Sequence, residues 1–146
     1  MITIHRHALL PYRDRQLFDL VNDVESYPEY MDGCVGARVL RREGDEVDAR
    51  LDLSHGGISQ SFSTRNRLFA PGAITLELLD GPFDHFQGRW EFRGLAADAC
   101  KVNLWIEFRA RNLLLGAAAS RLFDRVTNNL VDALGRRARQ IYGQAS

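Results

Sequence analysis

The apolar residues of this chain change their spacing once, and that change limits the fold more than any other property of the sequence. Between Cys34 and Arg109 they recur at every second position, as on a strand with one buried face. From about Asn112 to Tyr142 they recur every three or four, as on one face of a helix. In the first region Val35, Ala37 and Val39 form one set, and Val47, Ala49, Leu51 and Leu53 alternate with Glu46, Asp48, Arg50 and Asp52. Phe62, Thr64, Asn66 and Leu68 then alternate with Ser61, Ser63, Arg65 and Arg67. Ile74, Leu76 and Leu78 follow, then Phe86, Trp90 and Phe92, then Val102, Leu104, Ile106 and Phe108. Turn residues separate these runs: Gly44-Asp45, Gly56-Gly57, Pro71-Gly72 and Asp80-Gly81-Pro82. The pattern predicts a six-strand antiparallel meander with one wet face. In the second region Leu115, Ala119, Leu122, Phe123, Val126, Leu130, Leu134, Ala138 and Ile141 predict one long amphipathic helix. At 1.5 Å per residue it spans about 45 Å, enough to cross the whole sheet.

Upstream, Ile2, Ile4 and Leu10 mark a first strand that Pro11 ends, and Leu17, Phe18 and Val21 follow at helical spacing. The segment from Glu25 to Met31 contains Pro28 and predicts only a turn or two of helix, ended by Gly33. The order predicts an α+β fold: a curved seven-stranded antiparallel sheet wrapped around a long C-terminal helix, with two short helices between strands 1 and 2. We expect one domain over residues 1–146, long enough to bury about two thirds of its unfolded surface. Nineteen basic residues balance nineteen acidic ones, which argues against a partner such as DNA found through a strong global field. No apolar run approaches the roughly 20 residues of a membrane span, and the first ten residues lack the apolar core of a signal peptide, so the expected compartment is the cytoplasm. Cys34 and Cys100 have neither disulfide-framework nor zinc-knuckle spacing and are expected as reduced, partly buried thiols.

Several short strings carry a family likeness: Leu20-Val21-Asn22-Asp23-Val24 with Ser26-Tyr27-Pro28, Gly33-Cys34, Gly57-Ile58-Ser59, Phe62 with Thr64-Arg65-Asn66, and Asp80-Gly81-Pro82-Phe83 followed by Trp90 and Phe92. Together with the element order they resemble the START-like helix-grip superfamily. Within it they resemble the polyketide cyclase/dehydrase-like branch that contains coenzyme Q-binding proteins and ribosome-association toxins. The resemblance implies a non-catalytic domain with an apolar tunnel between sheet and helix. In the quinone-binding members that tunnel takes a ubiquinone-like lipid; the toxin-named members act on ribosomal subunit association. Gly57-Ile58-Ser59 and Thr64-Arg65-Asn66 look more like the toxin-named members.

The expected ligand wall consists of Leu51, Phe62, Thr64, Asn66, Leu76, Phe86, Trp90 and Phe108 from the sheet and Leu122, Phe123, Val126 and Leu130 from the helix. The same faces read equally as a filled core. Gly88 shares a face with Phe86 and Trp90, which predicts either a local hollow or a bulge. Thr64 and Asn66 are polar on an inward face, so either the backbone satisfies them or they offer hydrogen bonds to the carbonyls of a quinone-like head group. Tyr27, Pro28, Tyr30, Pro82 and Phe83 are candidates for the tunnel rim, though turn chemistry also explains the Asp-Gly-Pro string. Asp80 and Asp84 have no sequence-level reason for a raised pKa, and His5, His7, His55 and His85 lack metal-site spacing, so no catalytic or metal residue is assigned. Arg136, Arg137 and Arg139 could contact ribosomal phosphate, or simply complement the helix dipole. The leading expectation is binding of an isoprenoid quinone in support of respiration, with no cofactor required and with transient contact at the inner face of the membrane. The alternative is binding to the large ribosomal subunit that blocks subunit joining, and a weaker third is an aromatic polyketide cyclase or dehydratase.

Overall fold

A computed structural model describes residues 1–111 and 113–143. Strand β1 (Ile2–Leu10) leads into helix α1 (Asp14–Asn22) and a short 3-10 helix (Val24–Glu29). Strands β2 (Cys34–Glu43), β3 (Glu46–His55), β4 (Ile58–Phe69), β5 (Ala73–Asp80), β6 (Phe83–Ala96) and β7 (Ala99–Ala110) follow, and α2 (Leu113–Tyr142) closes the chain. All neighbours are antiparallel in one sheet of order β1-β7-β6-β5-β4-β3-β2. The meander is the one the alternation predicts, and β1 adds itself beyond β7 with Ile4 opposite Ile106.

Helix α2 lies on the inner face because its apolar stripe has no other partner of that length. Leu122, Phe123, Val126, Leu134 and Ala138 are buried. Leu115 and Ala119, predicted for the same stripe, have side chains outside the described residues. Phe18 of α1 meets Phe92 edge to face at 5.9 Å, which seats α1 against β6.

Three expectations are corrected. Val35 is 65% exposed, because a register shift between Cys34 and Gly36 turns Cys34 inward in its place. Ile141 keeps the helical spacing but is 51% exposed, since the last turn of α2 runs past the stripe that meets the sheet. Gly88 is neither a hollow nor a bulge: it pairs in regular register with Leu76 and Ile106. A Cβ there would come within 3.0 Å of Leu76 Cδ1 and 3.3 Å of Ile106 Cγ1, so the two flanking side chains already occupy its space.

The wet face is laced by ions. Asp48, on the outward side of β3, is only 7% exposed, because Arg65 Nε at 2.9 Å and Arg41 Nε at 3.1 Å close over it. Hydrogen bonding from Arg65 first, and then from Arg41, holds its carboxyl below the usual carboxylate range.

Candidate functional site

A cavity sits where α2 crosses the middle of the sheet. Inward positions of β3 and β4 supply Ala49, Leu51, Leu53, Phe62, Thr64 and Asn66, while β5 to β7 supply Leu76, Phe86, Trp90 and Ile106. From α2 come Phe123, Val126, Thr127 and Leu130; Val24, Tyr27, Met31 and Cys34 close the end under the 3-10 helix. Period two in the strands and period 3.6 in the helix place these side chains face to face. The closing end depends on Gly33, whose φ of +88° turns the chain into β2, and a Cβ there would stand 2.9 Å from Val126 Cγ2.

The cavity measures about 70 Å³. Clefts that take drug-sized ligands measure roughly 300–1,000 Å³. Much of the space expected to be hollow is filled by Phe62, Phe83, Phe86, Phe108 and Phe123. Phe83 and Phe123 meet edge to face at 4.5 Å, and Phe62 and Phe123 at 4.9 Å. Phe108 and Phe83 therefore belong to the packed core instead of the wall or the rim, at 0% and 2% exposure. Leu122 is buried but does not line the cavity.

Tyr27 is buried in the closing end and donates its hydroxyl to the Val21 carbonyl, while Pro28 is exposed and Pro82 half-buried in the β5–β6 turn. Tyr30 packs under the guanidinium of Arg137, whose Cζ lies 5.2 Å from the ring centroid. The Tyr30 hydroxyl and Arg137 Nε are both buried without a hydrogen-bond partner among the described residues.

Thr64 and Asn66 are joined by one hydrogen bond. Thr64 Oγ1 donates to Asn66 Oδ1 at 2.7 Å, and among the described residues Asn66 Nδ2 donates no hydrogen bond. Thr127 Oγ1 turns back to the Phe123 carbonyl at 2.6 Å. Burial pushes the Cys34 thiol up to about 11 and raises Tyr27 well above its ordinary value, so both are neutral near pH 7. The described lining contains no carboxylate, histidine, lysine or arginine. Such a cavity can hold an apolar group and donate one amide hydrogen bond, and it has no acid–base pair for proton transfer.

Asp80 and Asp84 are exposed in and beside the β5–β6 turn, away from the cavity. His5 stacks on Trp105 at 4.8 Å, and His85 meets Glu107 at 3.1 Å on the outer face. Of the three helix-end arginines, Arg136 and Arg139 are exposed, whereas Arg137 is turned inward and paired with Glu29 at 3.3 Å. Thr127 went unrecognised in the sequence although it sits four residues after Phe123 and three before Leu130. Val24 begins a 3-10 helix too short to show a period, and Met31 follows it.

Residues 10–135 match the polyketide cyclase / dehydrase and lipid transport family. The ribosome association toxin RatA of Pseudomonas aeruginosa is 42% identical over 140 residues, covering 96% of this chain and 97% of that protein. The protein of the same name from Escherichia coli K12 is 39% identical over 142 residues, covering 97% and 90%. The mitochondrial coenzyme Q-binding protein COQ10 homolog B of Xenopus laevis is 26% identical over 140 residues, covering 93% of this chain and 57% of that one. Among solved structures, the Zhui aromatase/cyclase of a Streptomyces species superposes with a TM-score of 0.84 at 15% identity, covering 96% and 95%. A START superfamily protein of Mycobacterium smegmatis superposes with a TM-score of 0.81 at 22% identity, covering 95% and 98%.

Proposed function

Since this chain belongs to the polyketide cyclase / dehydrase and lipid transport family, we propose that it is a non-catalytic member that binds the large ribosomal subunit and opposes subunit joining. What carries this reading is identity near 40% along almost the whole chain with relatives named for ribosome association, against 26% with the coenzyme Q-binding relative. It reverses the order expected from sequence, where quinone binding led, and the size of the cavity supports the reversal. About 70 Å³ does not admit a quinone ring with its tail. On this reading the protein acts in the cytoplasm, where ribosomal subunits join.

The test is sedimentation of the purified protein with isolated large and small subunits under conditions that favour joining. The reading expects the protein in the large-subunit fraction and fewer joined ribosomes. Joining at the control level, with all of the protein at the top of the gradient, overturns it.

A second reading rests on the free Asn66 amide in an apolar cavity: binding of a small lipophilic molecule bearing a carbonyl, such as the head of an isoprenoid quinone. It requires the cavity to widen. The segment placed to yield is the one from Val24 to Gly33, tied to α2 by Arg137–Glu29 at 3.3 Å and Arg125–Asp32 at 3.7 Å. Organic extraction of the purified protein followed by lipid mass spectrometry tests this, and an extract free of quinone counts against it. The cyclase reading finds no support in a lining without an acid–base pair.

A further inference from the structure

The arginines of this protein differ in how they are paired. On the outer face of the sheet Arg41 and Arg65 are neutralised by Asp48, Arg50 by Asp52, Arg67 by Glu46 and Glu77, and Arg89 by Glu91, while Arg38, Arg93 and Arg109 are exposed there and scattered over separate strands without an ion pair among the described residues. On the solvent side of α2 the unpaired ones fall in line. Arg121, Arg136 and Arg139 are exposed and form no ion pair among the described residues, and Arg125 reaches only Asp32, at 3.7 Å.

At about 100° per residue, Arg121, Arg125, Arg136 and Arg139 fall within about 60° of one another around the helix axis, spread along about 27 Å. The buried positions Leu122, Phe123, Val126, Leu134 and Ala138 occupy the opposite arc. Arg6 of β1 joins the edge of this ridge by donating from its guanidinium to Asn128 Oδ1, Nε lying at 2.8 Å. Two carboxylates lie among these cations. Asp124 accepts from Asn128 Nδ2 at 2.9 Å, and Asp132 stands between Arg125 and Arg136.

A chain with zero formal charge thus carries a cationic ridge along one helix. None of the described large apolar residues that are exposed lies on this arc of α2, which makes the ridge a poor fit to an apolar protein patch or a bilayer interior. We infer that the outward ridge of α2, carrying Arg121, Arg125, Arg136 and Arg139 with Arg6 beside it, is a docking surface for the phosphate backbone of RNA. The inference rests on the ribosomal reading and deepens it: contact runs through RNA phosphate, and Arg137, turned inward onto Tyr30, takes no part.

The experiment measures binding of the full chain to isolated large ribosomal subunits across a salt series. Three proteins are compared: wild type, the combined variant Arg121→Glu/Arg136→Glu/Arg139→Glu, and a control, Arg93→Glu/Lys101→Glu, placed on the outer sheet face. Circular dichroism and thermal melting verify each fold, and a triple Arg→Gln variant stands in if the Glu triple fails to fold. Each phosphate contact contributes roughly 0.7 to 0.9 to the slope of log K against log salt, so the triple variant should lose about 2 to 3 from that slope. It should bind about tenfold or more weakly near physiological salt, with the control unchanged. Wild-type affinity and slope in a folded triple variant overturn the inference and leave the ribosomal reading standing. Absence of wild-type binding to large subunits overturns both.

Discussion

Arg137 lays its guanidinium over the ring of Tyr30, Cζ 5.2 Å from the centroid, and so fastens the end of α2 to the 3-10 helix that closes the cavity. Its Nη2 also reaches Glu29 at 3.3 Å, but Glu29 is well exposed and that pair contributes little. The stacking does more, because Arg137 is only 16% exposed in its side chain. We predict that Arg137→Ala lowers stability by about 1 kcal/mol in urea denaturation and leaves ribosome binding unchanged. A midpoint equal to wild type would remove the stacking from this account.

Thr64 Oγ1 donates to Asn66 Oδ1 inside an apolar cavity. Thr64→Val strands the Asn66 carbonyl oxygen and should cost about 1 to 3 kcal/mol, the cost of an unpaired buried polar group. Replacing both, Thr64→Val with Asn66→Leu, removes the polar pair together and should recover much of that loss. A double-mutant cycle reads this directly, and additive effects would show that the pair is not coupled.

Val126 already meets the chain at Gly33, and the cavity beside it is small. With about 70 Å³ available, Val126→Trp should overpack and destabilise by about 1 to 3 kcal/mol. Ala49→Val adds only two methyl groups to the same space and should stabilise by about 0.5 kcal/mol or more. Thermal denaturation of the two variants moving in the same direction would contradict a cavity of this size.

The Asp48 carboxyl is held below its ordinary value in the folded protein, so the stability it contributes is present above about pH 3.9, the unfolded value. It is lost as pH falls through the lower folded value. Asp48→Asn should cost about 1.5 kcal/mol at neutral pH and flatten the decline of stability in acid. Parallel acid-unfolding curves for variant and wild type would show that Arg41 and Arg65 do not depend on this charge.

Burial pushes the Cys34 and Cys100 thiols up to about 11, so near pH 8 each is only about 0.1% thiolate in the folded state. Iodoacetamide should label both slowly in native protein and rapidly in urea, as counted by intact mass. Rapid native labelling of Cys34 would mean that the closing end of the cavity opens on the timescale of the reaction. Because the folded values are raised, the thiols favour the fold below their unfolded pKa near 8.5, and that contribution fades as pH climbs towards 11.

Strand by strand, the sheet was readable because alternation is local: Val47, Ala49, Leu51 and Leu53 face inward as their spacing requires. Where a local rule failed, a neighbour had intervened. Val35 lost its inward place to Cys34 through a register shift, and Gly88 is covered by Leu76 and Ile106 from the adjoining strands. Ten of the twelve expected wall residues line the cavity, while Phe108 and Leu122 pack elsewhere. Face assignment says which way a side chain points and nothing about whether a partner fills the space beyond it.

By itself the sequence determined the element order, the one-sided sheet, the long amphipathic helix and the family likeness, since all of these are written in spacing and short strings. Tertiary structure alone decided the cavity's size and the pairing of arginines such as Arg65. Both depend on contacts between residues far apart in the chain: five phenylalanines from β4, β6, β7 and α2 close most of the space, and Asp48 of β3 neutralises Arg65 of β4. Arg121, Arg136 and Arg139 of α2 stay exposed and unpaired among the described residues because that helix turns its other side to the core.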